Sequence, residues 1–168
     1  MEYTEAVAAL RRIPLFASLD TASLKLLAFS STALDFDDGE ALCHQGDPAD
    51  SVYVVDQGQV KVSIETTPDA GVFHVATLGR HDLFGEMAVI CNLPRTATVR
   101  AVGPLRVLKI EADIFMRLVT ANPDAAVGVM RVLALRLMRA TDLYERAQRG
   151  RPVPDSDAPP VEPAASTQ

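Results

Sequence analysis

The chain holds only two cysteines, Cys43 and Cys91, in 168 residues. That is too few for a disulfide framework, and they lack the CxxC spacing of a metal knuckle. It has no apolar run near the ~18 residues that a bilayer span requires. Cations are in the minority: 16 Lys+Arg against 22 Asp+Glu give a net charge of −6 and a pI near 5.0. Surfaces that bind phosphate backbones are basic, so a general nucleic-acid-binding surface is disfavoured; specific DNA binding is not expected either, because a helix-turn-helix needs a further ~50 folded residues after the last helix. The opening stretch MEYTEAVAALRRIPLF carries Glu2 and Glu5 and lacks the basic-then-apolar order of a signal peptide. His44, His74 and His81 are scattered, with no HxxE or HExxH spacing and hence no metal site. GxGxxG, GxxxxGK[ST] and GxSxG are all missing, and no Cys–His pairing has recognisable spacing, so an enzyme is not expected.

What is present points to one cytoplasmic domain. With 48% hydrophobic residues, a chain of this size buries roughly 68–70% of its unfolded surface without a covalent staple. Residues 1–33 read as a helical segment. Val7 and Leu10 share a face until Pro14 ends the pattern, and Asp20 is placed to cap a helix bearing Leu24, Leu27 and Ala28. Beyond Leu34 the texture changes. Glycines at 39, 46, 58, 71, 79, 85 and 103 separate short runs rich in Val and Ile. VYVV and then Val60, Val62 and Ile64 read as two strands of a hairpin turning at Asp56–Gln59. HVATL, TATVRAV and LRVLKI are further strands, so the region suits a closed sandwich, barrel or jelly roll. FGEMAVICN breaks the alternation and reads as a single helical turn.

After Ile110 one helix runs through Phe115, Leu118 and Val119. Asn122-Pro123-Asp124 then supplies an N-cap, a proline at N1 and an acid in the first turn of a second helix. That helix extends to about Ala147, some 25 residues or roughly 37 Å at 1.5 Å per residue. It is too long to pack wholly on its own core, so part of it awaits a partner or a second copy. Residues 131–151 carry six Arg against two acids, so an acidic body ends in a basic helix. Residues 148–168, with five prolines after Arg151, cannot bury enough apolar surface to offset ordering and read as a disordered tail.

The chemistry concentrates in Phe84-Gly85-Glu86-Met87-Ala88 and, five residues on, Pro94-Arg95-Thr96-Ala97-Thr98. A glycine before a helical turn leaves the amides of Glu86, Met87 and Ala88 free to face an anion. Arg95 offers a planar fork for two phosphate oxygens, and Glu86 an acceptor for a sugar hydroxyl. A small phosphorylated sugar needs that combination.

This stretch resembles the phosphate-binding cassette of cyclic-nucleotide-binding domains, the module of the catabolite activator protein, protein kinase regulatory subunits and gated channels. The resemblance covers about residues 10–147, including IPLF, the GEALCHQGDPADSVYVVDQGQVKVS run, the cassette and the final helices. It implies an α+β fold: an eight-stranded antiparallel β-roll (jelly roll) with N-terminal helices and a long C-terminal lid helix, residues 34–147 forming the roll and its C-terminal helices. It implies no cofactor. The ligand is cAMP, with cGMP as second choice. Arg95 would grip the cyclic phosphate and Glu86 the ribose 2′-hydroxyl. Phe84, Gly85, Met87, Ala88 and Ala97 would line the site, and Thr96 would touch the phosphate or a syn guanine. Arg136 or Thr141 on the lid helix would cap the base.

Two functions follow from such a fold. One is a cyclic-nucleotide sensor whose lid controls an effector protein. The other is a structural adaptor that dimerises through the long helix without ligand response. Intact Gly85, Glu86 and Arg95 favour the sensor; an Arg95–Glu86 salt bridge without ligand is the bland reading of the same residues.

Overall fold

Alternating apolar residues over Ser51–Glu65 and Thr98–Glu111 build two strands of 15 and 14 residues that organise the computed structural model, which describes residues 3–65 and 71–149. In chain order the elements are α1 (Tyr3–Arg11), α2 (Thr21–Ser30), β1 (Ser31–Phe36), β2 (Ala41–Cys43), β3 (Ser51–Glu65) and β4 (Val72–Leu78). There follow β5 (Leu83–Phe84), α3 (Glu86–Cys91), β6 (Thr98–Glu111), α4 (Ala112–Ala121) and α5 (Pro123–Gln148). The sheet is antiparallel throughout, in the order β1-β6-β3-β4, with β2 on β6 and β5 on β3. The expected α+β roll with N-terminal helices and a long C-terminal helix is the observed architecture.

The hairpin expected at Asp56–Gln59 is absent. Residues 51–65 form one strand that stays on β6 along its whole length, from Ser51↔Glu111 to Ser63↔Thr98, with register shifts between Val55 and Gln59. TATVRAV and LRVLKI are likewise one strand. Gly58, at φ +87°, gives the reason: the chain bulges there instead of reversing, and a Cβ would lie 2.5 Å from the Pro104 carbonyl oxygen. Each long strand is thus two strand segments joined at a bend, and counting both halves turns six strands into eight.

Two cores lie on opposite faces of these strands, Val52 and Val54 entering one and Tyr53 and Val55 the other. Phe16 and Phe115, both fully buried, centre one among Leu10, Leu24, Leu27, Ile110 and the first turns of α5. The expected Asp20 cap holds, its carboxylate accepting from the Ser23 amide at 2.6 Å. Val55, Val60, Leu78, Phe84, Val99 and Val107 form the second core inside the roll. β1 starts at Ser31, three residues before the expected boundary, and the N-terminal helices share their core with α4 and α5.

Asn122 stands before α5 as expected, but its side chain serves α4 rather than capping α5. Its side-chain amide donates to the Leu118 carbonyl at 2.8 Å and closes α4, while its own carbonyl accepts from Ala126 to begin α5. Ala125 and Val129 bury the start of α5, and at Gly128 a Cβ would meet Leu15 Cδ1 at 2.6 Å. From Ala134 onward that helix leaves the core, as its length foretold. Cys43 is buried as expected, but Cys91, at the end of α3, is exposed. The tail read as disordered lies outside the described residues apart from 148 and 149. Among the described residues no single helix is long and apolar enough to cross a membrane.

Candidate functional site

Gly85 turns the chain from β5 into α3 at φ +82°, a conformation that L side chains rarely adopt. A Cβ there would fall 2.5 Å from Arg95 Nη1. The glycine is therefore required twice, for the turn and for the approach of the guanidinium. α3 spans Glu86–Cys91 and ends at Asn92, also left-handed, and the chain returns through Leu93 and Pro94 to Arg95.

Arg95 is 4% exposed. Its backbone is pinned to the loop after β2, the amide donating to the Asp47 carbonyl and the carbonyl accepting from Gly46, both at 2.8 Å. Its guanidinium donates to the Gly85 carbonyl at 3.2 Å and to Ser51 Oγ at 3.1 Å, and lies 5.5 Å over the Tyr53 ring, which stacks on Phe84. Ser51 Oγ in turn donates to Asp50 at 2.8 Å. That bond, with the charges of Lys109 and Arg95 nearby, holds the Asp50 carboxyl below its usual range. Asp50 itself is 3.8 Å from Arg95, and Arg95 Nε is buried without a partner.

Glu86 is completely buried. Its Oε1 accepts from Arg136 of α5, whose other amino group donates to the Leu83 carbonyl, while its Oε2 is buried without a partner. Among the described residues no ion pair joins Glu86 to Arg95, which overturns the loop salt bridge as an account of this pair. Buried ionic groups are costly unless paired and hydrogen-bonded. Here two of opposite sign lie on one short loop, each with an unsatisfied atom. Such an arrangement is complementary to a ligand that brings an anion to one and a hydroxyl donor to the other.

A family model for the cyclic nucleotide-binding domain matches residues 33–122, the stretch that contains this loop. The chain belongs to that family. An uncharacterised NTE family protein of Mycobacterium tuberculosis is 32% identical over 88% of this chain but 24% of its own length. The cAMP-dependent protein kinase regulatory subunit of Dictyostelium discoideum is 35% identical over 70% of this chain and 35% of its own. The chain thus spans about a quarter to a third of these curated relatives. The catabolite activator protein of Thermus thermophilus superposes with a TM-score of 0.68 at 27% identity, covering 81% of this chain and 63% of that one.

Within this cyclic nucleotide-binding domain the anticipated residues divide. Phe84, Gly85, Glu86, Ala88 and Arg95 converge. Met87 and Thr96 are exposed at the rim, and Ala97 is half-buried, its carbonyl accepting from Cys43 Sγ at 3.9 Å. Of the two lid residues, the fold brings only Arg136 to the cassette. Thr141 is exposed and donates to Leu137 of its own helix at 2.9 Å. On the same helix Leu133 packs on the core, whereas Leu137 is 68% exposed. Ser51 was missed, because a partner 44 residues from Arg95 carries no spacing signal.

Proposed function

We propose that this domain is a regulatory sensor of cyclic nucleotides, cAMP or cGMP, that conveys occupancy to a partner protein through α5. The observation that carries the reading is the pair of buried, mutually unpaired charges at Glu86 and Arg95, each with an unsatisfied atom. The cyclic phosphate would meet Arg95 and the amides that open α3, and the ribose 2′-hydroxyl would donate to Glu86. Because Arg136 already holds Glu86 Oε1, the ligand and the lid helix address the same carboxylate. A ligand shifts an equilibrium only through its differential affinity for the two states, and this shared acceptor supplies one. The adaptor reading explains neither orphaned atom.

The outer side of α5 gives the signal a destination. Val127, Met130, Ala134, Leu137, Thr141 and Tyr144 recur at alternating three- and four-residue steps, and all six are exposed. That spacing is a two-helix seam, and it lies beside the stripe of Ala125, Val129 and Arg136, of which the first two are buried in the helical core and the third reaches Glu86. We assign the seam to a second copy of the chain, with the effector reading the pair. Sedimentation equilibrium should show a dimer that Leu137→Glu dissociates; a wild-type monomer at micromolar concentration refutes this assignment.

Calorimetry tests the ligand. Arg95→Ala leaves a bound phosphate without its cation, a loss of roughly 3–5 kcal/mol or at least 10²–10³-fold in Kd. Binding within threefold of the wild type would remove Arg95 from the phosphate site.

A further inference from the structure

Arg95 stands on a stretch of chain that has not yet joined the sheet, and a turn 50 residues earlier in sequence fixes where that stretch lies. Residues 44–47 form this turn. The Asp47 amide donates to the His44 carbonyl at 3.1 Å, and the Asp47 carboxylate accepts from the His44 amide at 2.7 Å. Gly46, at φ +91°, fills the left-handed place at the third position of such a turn. Gly46 and Asp47 are the two residues that hold the Arg95 backbone. Gln45, between His44 and Gly46, ties the turn to the sheet. Its carboxamide accepts from the Glu65 amide at 2.9 Å and donates to the Glu65 carbonyl at 3.1 Å, and its own amide donates to Thr98 Oγ1 at 3.0 Å.

The two bonds to Glu65 are the pair that one residue of an antiparallel ladder exchanges with the residue opposite. Along this part of the sheet β3 meets β6 in constant register, Lys61↔Arg100, Val62↔Val99 and Ser63↔Thr98. Continued two steps, that register would set Glu65 against Thr96. The ladder ends at Thr98 instead, and the bonds open to Thr96 are made by the Gln45 side chain. Arg95, Thr96 and Ala97 are thereby outside the strand, and the chain bends at Thr96 and Ala97.

Resting on the proposed nucleotide site, we infer that Gln45 is a positioning residue for phosphate recognition. Its carboxamide stands in for the Thr96 peptide, keeps residues 95–97 out of the sheet and, through the turn, sets where the Arg95 guanidinium stands. A guanidinium grips two phosphate oxygens through a rigid planar fork, so its hold depends on placement more than that of a point charge does. Gln45 itself acts on the ligand only through Arg95.

Calorimetry on the full chain with cAMP and with cGMP tests this role. A neutral hydrogen bond corresponds to about 2- to 13-fold in an equilibrium constant. Both bonds to Glu65 lie at the surface, so Gln45→Ala should weaken cAMP by roughly three- to tenfold. cGMP should lose the same factor, because the defect lies at the phosphate that both nucleotides share. Gln45→Met keeps the stem and neither bond, and should match Gln45→Ala. In an Arg95→Lys background, Gln45→Ala should cost less than twofold, since an ammonium on a flexible stem tolerates displacement. If Gln45→Ala binds cAMP within twofold of the wild type, if Gln45→Met restores affinity, or if the losses of Gln45→Ala and Arg95→Lys simply add, the positioning role is refuted while the site at Arg95 stands. If the wild type binds neither nucleotide, both readings fall.

Discussion

Replacing Arg136 by alanine is the sharpest probe of how this domain is held in its free state. The guanidinium satisfies one oxygen of a fully buried glutamate and one backbone carbonyl at Leu83. Without it Glu86 keeps a buried carboxylate with neither oxygen partnered, since Oε2 already has none. Removing one member of a buried pair costs about 3–5 kcal/mol. Arg136 is 26% exposed, so water can enter the space it leaves, and the lower end, about 3 kcal/mol, is expected. For a domain of this size that corresponds to roughly 6–12 °C in Tm. Urea unfolding followed by circular dichroism should show a lower midpoint with an unchanged m-value. Glu86→Gln added to Arg136→Ala should recover much of the loss, because the stranded charge is gone. Saturating cAMP at 100 times Kd contributes about 2.7 kcal/mol through binding alone, and its hydroxyl should partly replace the missing donor. An Arg136→Ala midpoint within about 0.5 kcal/mol of the wild type, the scale of an ordinary surface substitution, would refute the argument that this pair secures the buried carboxylate.

Three further outcomes follow from the same geometry. Gly85→Ala forces a left-handed alanine, costing about 1–3 kcal/mol, and drives its Cβ into the Arg95 fork; cAMP binding should fall more than stability does, and unchanged affinity would contradict the close approach. Thr96→Ala removes a neutral hydrogen bond of about 0.5–1.5 kcal/mol, so cGMP should lose up to roughly tenfold and cAMP less; equal losses would put the hydroxyl on the phosphate. The carboxyls of Asp20, Asp35 and Asp50 are held below their ordinary value, chiefly by hydrogen bonds from Ser23, Arg106 and Ser51 respectively. The folded state therefore binds fewer protons than the unfolded chain there, so this stability is complete above the ordinary carboxylate range and is lost progressively as pH falls from that range through the lowered folded values. Asp50→Asn should flatten the acid limb of a stability–pH curve, and an unaltered limb would show that Asp50 contributes nothing to it.

How much was legible in advance depended on whether a signal was local. Alternation at Val60, Val62 and Ile64 marks a strand because side chains in a strand alternate faces whatever the strand packs against. The Asp20 cap and the Asn122-Pro123-Asp124 start are equally local, since each concerns backbone groups within one turn. The cassette was legible for the same reason: Gly85, Glu86 and Arg95 lie within eleven residues, and their types and spacing carry the chemistry.

Whatever depended on distant segments waited for the tertiary structure. A glycine between two apolar runs suits a hairpin and a bulge alike, and only the continuous pairing of β3 with β6 selected the bulge at Gly58. The family resemblance made Arg136 and Thr141 equal candidates, but the docking of Ala125 and Val129 turns Arg136 toward Glu86 and leaves Thr141 bonded to its own helix. Ser51 reaches Arg95 from 44 residues away. The sequence by itself determined which residues could hold a phosphate and a sugar hydroxyl, because that chemistry resides in residue types. Which charges are buried, which are left unsatisfied and which side chain of the lid helix meets them were decided by packing alone, because burial and register are properties of the assembled chain.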